Sequence, residues 1–217
     1  MRDRGVQGSR RRWVIGAVVI VFCAVFLYAA TAAPAQRSLR QFDPQRMADL
    51  ETRMWQAYYA KERLRLFGLL VTLLREQYHY SWATALTEGF HLARAAATFG
   101  DARADYEQVL PDLEQAYATA KQWLGAGFDA RAVARAELAW WVARRTAGQN
   151  TPARVGALMA DEYALLYEAP RARMLKSATL RAEAGALRDA QAATPDWPTI
   201  RRLLEESYGD LRAALDE

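Results

Sequence analysis

The sequence predicts an all-α protein in which an N-terminal transmembrane helix is followed by an antiparallel bundle of about seven to eight helices. Three observations lead to this fold class. Residues 13–33 form an apolar run that no charge interrupts. After this run, helix start and stop signals recur at short intervals, and no segment alternates apolar and polar residues as a half-buried strand would. The predicted turns are short, which favours antiparallel neighbours.

The N-terminal segment sets the predicted topology. The run WVIGAVVIVFCAVFLYAATAA spans roughly 31 Å as a helix, enough to cross the hydrocarbon core of a bilayer. Five arginines and one aspartate precede it, and basic residues favour the cytoplasmic side. We therefore predict a cytoplasmic basic tail at residues 1–12, a transmembrane helix at 13–33, a linker at 34–43 and an extracytoplasmic all-α domain at 44–217. Only three of the 29 basic residues are lysine. This bias is typical of GC-rich bacteria, so we expect the inner membrane of a bacterium and a periplasmic domain.

Two export signals are alternatives to a retained anchor. Ala33-Pro34-Ala35 has the small-x-small form of a signal-peptide cleavage site, and cleavage there would release a soluble periplasmic protein. Residues 9–14, SRRRWV, match a twin-arginine signal. The apolar run is longer than the roughly 7–15 residues of a signal peptide, which favours retention.

Capping residues divide the rest of the chain into eight predicted helices. Asp43 followed by Pro44 is typical of an N-cap and the first helical position, and begins the first helix. A leucine-rich segment predicts the second helix, and Gly100 ends the third. The predicted helices cover about residues 43–60, 62–80, 81–99, 101–124, 129–147, 151–168, 170–193 and 198–215.

Prolines and polar caps set the bounds of the later helices. Asp101 is expected to cap the fourth helix, which Pro111 must break or kink because a proline inside a helix removes a hydrogen bond and clashes with the preceding turn. Gly125 ends that helix. The remaining helices begin at similar signals, at Asp129, Thr151-Pro152, Pro170 and Pro198.

The charge distribution and missing motifs exclude several functions. The whole chain has 29 basic and 25 acidic residues, but residues 1–12 hold five arginines and one aspartate, so residues 13–217 carry 24 of each and no net charge. A nucleic-acid partner is therefore not expected. Cys23, the only cysteine, lies in the apolar run, so the domain has no disulfide or thiolate ligand. The sequence contains no glycine-rich phosphate loop, Gly-x-Ser-x-Gly, Cys-x-x-Cys-His or His-Glu-x-x-His motif.

Two histidines suggest a metal site. Glu76 and His79 form one Glu-x-x-His motif, and Glu88 and His91 form another. Ferritin-like di-iron bundles use this spacing to offer a carboxylate and an imidazole from one helix to the same metal. Here the motifs lie close together in the chain, so they can hold one metal only if the chain turns sharply near Ser81. The alternative is a pair of solvated histidines on polar helix faces.

Four glutamates fall inside the apolar stripes of their predicted helices: Glu51, Glu137, Glu162 and Glu183. A buried carboxylate is costly unless a proton, an arginine or a metal neutralises it. One interpretation is therefore a set of buried glutamate–arginine pairs or glutamate–tyrosine hydrogen bonds. The other is a divalent transition-metal site whose candidate ligands are Glu51, Glu76, His79, His91, Glu137, Glu162 and Glu183.

The sequence leaves three hypotheses for function. The first is a single-pass membrane protein that displays its helical domain as a scaffold or interaction module, with the membrane as one partner through residues 13–33 and another protein as a second. The alternative is a metal-binding bundle with a di-iron-like set of carboxylate and histidine ligands, acting as an oxidative enzyme. A helical groove that binds cargo is the third. No motif indicates catalytic residues or an oligomeric state.

Overall fold

The computed structural model describes residues 19–25, 27, 28, 30, 31 and 37–216. A 3₁₀ turn, Tyr106–Val109, and eight α-helices lie within residues 37–216. The helices are α1 (Pro44–Tyr59), α2 (Arg63–Glu76), α3 (Trp82–Asp101), α4 (Leu110–Leu124), α5 (Ala130–Arg145), α6 (Pro152–Leu166), α7 (Arg171–Ala190) and α8 (Trp197–Asp216). The described residues contain no β-strand, and the prediction of an all-α bundle is confirmed.

The helices are arranged as a closed ring. Each helix packs against the next one in the chain, and α8 packs back against α1. Short connections place consecutive helices side by side. A ring of this kind has an interior to which every helix can contribute side chains.

The helix ends follow local chemistry. The side chains of Asp43 and Asp129 accept hydrogen bonds from backbone N–H groups in the first turns of α1 and α5, and Thr151 does the same for α6. Pro111 lies in the first turn of α4, where its missing N–H costs nothing, so the expected break is a new helix start. Asp101 does not cap a helix as predicted: it is the last residue of α3.

Close helix contact in the ring depends on small residues. Gly156 of α6 faces the backbone of α7, where a Cβ atom added to the glycine would lie only 2.7 Å from Cα of Thr179. The main core lies inside the ring and includes Leu50 of α1, Met174 of α7 and Leu204 of α8, all inaccessible to solvent. A smaller apolar cluster joins α3, α4 and α5.

The predicted transmembrane helix falls largely outside the described residues. The tail at 1–12, residues 13–18, 26, 29, 32 and 33 of the span, and residues 34–36 of the linker are not described. Within the span, the described residues are helical, and those with large apolar side chains are exposed: Val19, Ile20, Val21, Phe22, Val25, Leu27 and Tyr28. No helix formed by the described residues is long and apolar enough to cross a membrane. The anchor and its topology therefore stay predictions.

Candidate functional site

An inner cavity of about 180 Å³ lies inside the ring. Each of the helices α1 to α8 contributes at least one side chain to its wall. Leucines and methionines form part of the wall, but polar groups are unusually common for a helical core. Among the described residues, the charged groups of the wall are Glu51, Glu88, Glu137, Glu162 and Arg181, and the tyrosines are Tyr78, Tyr80, Tyr117, Tyr163, Tyr167 and Tyr208.

Glu51 of α1 is neutralised by an arginine. Its side chain is 3% exposed, and Oε1 accepts hydrogen bonds from Nε of Arg181, at 2.9 Å, and from Nη2 of the same guanidinium. The other carboxylate oxygen accepts a hydrogen bond from the Tyr208 hydroxyl. Arg181 also donates to the Tyr163 hydroxyl at 3.4 Å. This is the buried glutamate–arginine pair that one interpretation of the sequence expected.

Glu137 and Glu162 meet at one tyrosine. The hydroxyl of Tyr117 lies 2.8 Å from Oε2 of Glu137 and 3.2 Å from Oε1 of Glu162. A tyrosine hydroxyl carries a single proton, so it can donate to only one of the two carboxyl groups. Both contacts are hydrogen bonds when the other carboxyl is protonated and donates to the tyrosine oxygen.

The surroundings of the two carboxyl groups favour a proton on Glu137 over one on Glu162. Burial, followed by the neighbouring charge of Glu162, raises the pKa of Glu137 to about 8. Burial also raises the pKa of Glu162, but Arg181 and the indole N–H of Trp140 favour its ionised form. A protonated Glu137 that donates to Tyr117, which in turn donates to Glu162, satisfies both contacts.

Glu88 of α3 differs from the other interior glutamates because it lacks a complete set of partners. The residue is 7% exposed, and its Oε2 atom makes no hydrogen bond to any described residue. The Tyr80 hydroxyl is close enough to influence the Glu88 carboxyl, yet it too has no hydrogen bond of ordinary geometry within the described chain. Burial raises the pKa of Glu88 well above its usual value. Two buried polar groups thus face the inner cavity without partners.

An outer cleft of about 500 Å³ adjoins the inner cavity. Its wall is mainly apolar and aromatic, with rings from α1, α3 and α5: Trp55, Tyr58, Tyr59, Phe99, Trp140 and Trp141. The two spaces adjoin, because the same residues line both: Glu51, Met54, Leu70, Leu92, Glu137 and Arg181. An aromatic cleft therefore lies next to a polar interior, with these residues between them.

The arginines in the outer cleft are already engaged. Arg144 donates from Nε to Asp189 at 2.9 Å and from Nη2 to the Tyr59 hydroxyl at 2.9 Å. Arg145 donates to the backbone carbonyl of Phe99, and its guanidinium lies 3.9 Å from the centroid of that ring. These contacts fix the arginines to the wall and leave neither with its full donor capacity for an anion.

Three of the seven predicted metal ligands lie in the interior and four do not. Glu51, Glu137 and Glu162 line the inner cavity, as their helical phases indicated. The others lie elsewhere: Glu76, His79, His91 and Glu183. The described residues include no group of three or more His, Cys, Asp or Glu side chains placed to hold one metal ion, so the predicted metal site is not supported.

The two Glu-x-x-His motifs have separate structural roles. Helix α2 ends at Glu76, whose carboxylate accepts a hydrogen bond from Nε of Arg46 at 2.8 Å. His79 lies beyond the helix with a φ of 54°, so the helical spacing that the motif requires is lost. His91 remains on α3, where its Nδ1 lies 2.8 Å from Oδ1 of Asp112 on α4. Neither histidine lines the inner cavity.

The prediction that Glu183 faces the core is wrong. The exposed Glu183 lies on the outer side of α7, and Leu175 of the same helix is 39% exposed. Apart from Met174, small residues and Arg181 occupy the inner face of α7, so apolar side chains mark it only weakly. Sequence reasoning also missed Glu88 as a core group, although Ala85 and Gly89 beside it are the kind of small residues that allow helices to approach.

No protein-family model, curated protein or solved structure matches the chain. The chemistry of the inner cavity and the outer cleft is therefore the basis for assigning a function.

Proposed function

We propose that this chain is a membrane-tethered, extracytoplasmic helical domain that binds a small molecule inside its ring of helices. The observation that carries the proposal is the outer cleft of about 500 Å³, which adjoins a polar inner cavity. Ligand sites are typically concave, roughly 300–1,000 Å³ in volume, apolar over most of the wall and equipped with a few polar groups that orient the ligand. The two adjoining spaces have this composition.

A purely structural role for this interior explains the observations less well. Protein cores are packed about as densely as organic crystals, and large voids lose dispersion contacts along their whole lining. Buried polar groups without partners are rare in native proteins, because each costs about 1–3 kcal/mol. Oε2 of Glu88 and the hydroxyl of Tyr80 are two such groups on one cavity. A bound molecule would fill the space and supply the missing partner.

A panel of fluorinated probes tests the binding function. The full chain would be held in an uncharged amphipathic polymer, and binding of fluorophenylpropyl alcohol, fluorophenylpropylammonium and fluorophenylpropanoate measured by fluorine NMR line broadening. Ala96→Phe places a ring in the outer cleft and should abolish binding. Ala93→Phe, one turn earlier on α3, lines neither space and should leave binding intact. Failure of every probe, or equal binding to the Ala96→Phe chain, would overturn the proposed function.

The tether is supported by the apolar run at residues 13–33 and by the exposed apolar side chains of its described part. A reporter enzyme that is active only outside the cytoplasm, fused after Glu217, tests the topology. We expect activity with the native tail and loss of activity when the arginines of residues 1–12 are replaced and basic residues are added after the run. Activity of a cytoplasm-specific reporter at the same position would contradict the topology.

An exposed apolar stripe on α3 favours a second role, as an interaction module. The stripe consists of Trp82, Leu86 and Phe90, which recur every fourth residue and are 50%, 45% and 51% exposed. Arginines flank the rings: the guanidinium of Arg75 lies 4.7 Å from the Trp82 ring and that of Arg94 lies 5.1 Å from the Phe90 ring. Tryptophan next to arginine is typical of surfaces that meet lipid headgroups. We propose the anchoring membrane as the partner of this stripe.

The position of the linker supports a membrane partner. Arg37 is the first described residue after the apolar run, and it lines a surface pocket together with Thr84 at the N-terminal end of α3. The guanidinium of Arg37 also donates to the backbone carbonyl of Trp123 at 3.0 Å. The chain thus enters the domain beside the end of α3 that carries Trp82. A tethered domain would hold this end near the bilayer.

Spin labelling distinguishes contact of the stripe with the membrane from contact with another partner. In a Cys23→Ser background, a nitroxide at Leu86→Cys should be relaxed by oxygen dissolved in lipid, whereas one at Leu175→Cys on α7 should be relaxed by a water-soluble nickel complex. Equal relaxation of both labels by the nickel complex would show that the stripe does not contact the membrane. Protection of position 86 from both reagents would identify a protein partner or a second copy instead.

A further inference from the structure

We infer that the ligand is an organic cation, an amine with an apolar body, whose ammonium group binds between Glu88 and Glu137 in the inner cavity. This inference rests on the proposed ligand-binding function and names the class of ligand. Acidic residues outnumber basic residues around the inner cavity. The described residues of the wall include four glutamates but only one arginine.

The single arginine is already used. Arg181 binds Glu51 through two of its nitrogens, and Tyr208 satisfies the second oxygen of that carboxylate. Glu88, Glu137 and Glu162 therefore have no basic partner of their own. Trp140 and Tyr117 contact Glu162, while Tyr117, at 2.8 Å, and the indole of Trp141 contact Glu137. The oxygen without a partner belongs to Glu88, so an incoming donor binds Glu88 first and Glu137 is its second acceptor.

Glu88 and Glu137 face the same space. Both line the inner cavity, and they are near enough for the charge of Glu137 to act on Glu88. Oε2 of Glu88 and the Tyr80 hydroxyl lie close to each other, and neither makes a hydrogen bond of ordinary geometry to a described residue. An ammonium group offers several donors from one small centre, so it can bind two carboxylates and the tyrosine oxygen together. Burial raises the pKa of both carboxyl groups, so the protons held by Glu88 and Glu137 pass to solvent when the ammonium group binds.

An organic cation fits this cavity better than a metal ion or an anion. A metal needs its ligands within about 2–2.6 Å of one point, and the described carboxylates form no such group. An anion would meet an interior in which acidic groups outnumber basic ones. A cation with an apolar body bridges carboxylates that are farther apart and fills the remaining space.

The outer cleft suits the apolar part of such a ligand. Trp140 and Trp141 stand on the same helix as Glu137, three and four residues further on, with their ring centroids 6.0 Å apart. Both rings line the cleft next to the inner cavity. Aromatic faces attract cations through their quadrupoles and also bind apolar chains. The guanidinium of Arg181 already lies 5.2 Å from the centroid of the Trp140 ring, so Trp141 is the ring of this pair that is left for the ligand.

The three fluorophenylpropyl probes test the inference because they share a body and differ in charge. With the full chain we expect the ammonium probe to bind about 10- to 100-fold more tightly than the alcohol, as hydrogen bonds to charged groups usually provide. Binding of the carboxylate probe should be weaker than that of the alcohol. Glu88→Gln and Glu137→Gln should each reduce the preference for the ammonium probe. Glu183→Gln, an exposed glutamate on α7, should not change it.

The outcomes separate the inference from the proposed function. Equal binding of the alcohol and ammonium probes, with loss of both in Ala96→Phe, would overturn the inference and keep the binding function. A preference for the carboxylate probe would also overturn the inference. If Mn²⁺ alone displaces the ammonium probe, and Glu88→Gln abolishes this displacement, the site binds a metal ion and the inference of an organic cation is overturned. If no probe binds, both the inference and the proposed function fail. Tyr80→Phe is a further test of the same pocket. Melting temperatures of all variants exclude misfolding as the cause of a change in probe binding.

Discussion

Arg181 of α7 reaches across the interior of the ring to Glu51 of α1, with its Nε atom 2.9 Å from Oε1 of the carboxylate. The two helices are not neighbours in the ring, because α8 packs between them on one side. Tyr208 of α8 donates to the other oxygen of Glu51, so three helices meet at one buried carboxylate. The pair therefore joins helices from the two ends of the folded domain, and it neutralises one of the carboxylates of the inner cavity.

Arg181→Met should destabilise the fold strongly. The substitution leaves Glu51 buried with no cation, and breaking a buried pair in this way usually costs about 3–5 kcal/mol. Unfolding of the full chain by urea, followed by circular dichroism, measures the loss. The matched control is the double variant Glu51→Met/Arg181→Met, which removes both charges and should be much closer to the native stability. An Arg181→Met chain as stable as the native one would show that the pair is not needed for folding.

The stability of the chain should fall as the pH rises from about 5 to 8. Burial and the charge of Glu162 raise the pKa of Glu137 to about 8, whereas an unfolded glutamate titrates near about 4.3. Between these values the folded state holds a proton that the unfolded state has released. Each pH unit therefore lowers the free energy of unfolding by at most about 1.4 kcal/mol through Glu137. The contribution is fully present below the unfolded pKa and is lost as the pH rises through the folded one. The raised pKa values of Glu88 and Glu162 act in the same direction.

Glu137→Gln isolates this effect. The variant cannot ionise, so its melting temperature should depend less on pH over the same interval than that of the native chain. Glu206→Gln is the control, because Glu206 is an exposed glutamate whose carboxylate accepts from Arg202 at 2.7 Å. It should retain the native pH dependence. An unchanged pH dependence in Glu137→Gln would contradict a proton shared between Glu137, Tyr117 and Glu162.

Sequence periodicity located some interior groups because their helices have clear apolar stripes. Glu51 and Glu162 lie among large apolar residues at helical spacing, and the structure buries both. On α7 Met174 is the only large apolar residue among the buried ones, and alanine, serine and glycine make up the rest, so the apolar pattern does not distinguish this face from the one that carries Glu183. A stripe of small residues has little contrast with a solvated face, and this is why hydropathy alone could not orient α7.

The closure of the ring and the unpaired groups of the cavity were beyond sequence reasoning for a different reason. Capping signals such as Asp43 and Thr151 are local, and they marked helix starts correctly. The contact of α8 with α1 and the meeting of Glu137 with Tyr117 depend on long-range packing, which no local signal encodes. The sequence supported an antiparallel bundle but carried no information on which helices would surround a cavity.

Gly156→Ala should weaken the contact between α6 and α7. Its new Cβ would lie 2.7 Å from Cα of Thr179, a backbone atom that cannot move aside without shifting a helix. Overpacking of this kind usually costs about 1–3 kcal/mol. Gly209→Ala on α8 is the control, since nothing lies within 4 Å of its added Cβ, and removing a helical glycine should stabilise the chain by about 0.5–1 kcal/mol. The prediction fails if urea unfolding gives the two variants changes of the same sign.

Asp112→Asn should loosen α4 from α3, and the loss should depend on pH. Asp112 accepts hydrogen bonds from Nε of Arg94 at 2.6 Å and from Nδ1 of His91 at 2.8 Å. Burial raises the pKa of Asp112, but the hydrogen bonds from Arg94 and His91 outweigh burial, so the pKa is lower than usual.

A lowered pKa means that the ionised carboxylate stabilises the folded state above the unfolded pKa of about 3.9, and that this contribution is lost as the pH falls through the folded value. At pH 7 the asparagine variant should therefore be less stable than the native chain by about 1–2 kcal/mol, because an amide replaces charge-assisted hydrogen bonds. In acid the two chains should converge. Glu114→Gln, on the same helix with a 3.5 Å ion pair to Arg131 at the surface, should change stability little at either pH. A constant difference between the asparagine variant and the native chain from neutral to acid pH would assign the effect to packing and not to the charge of Asp112.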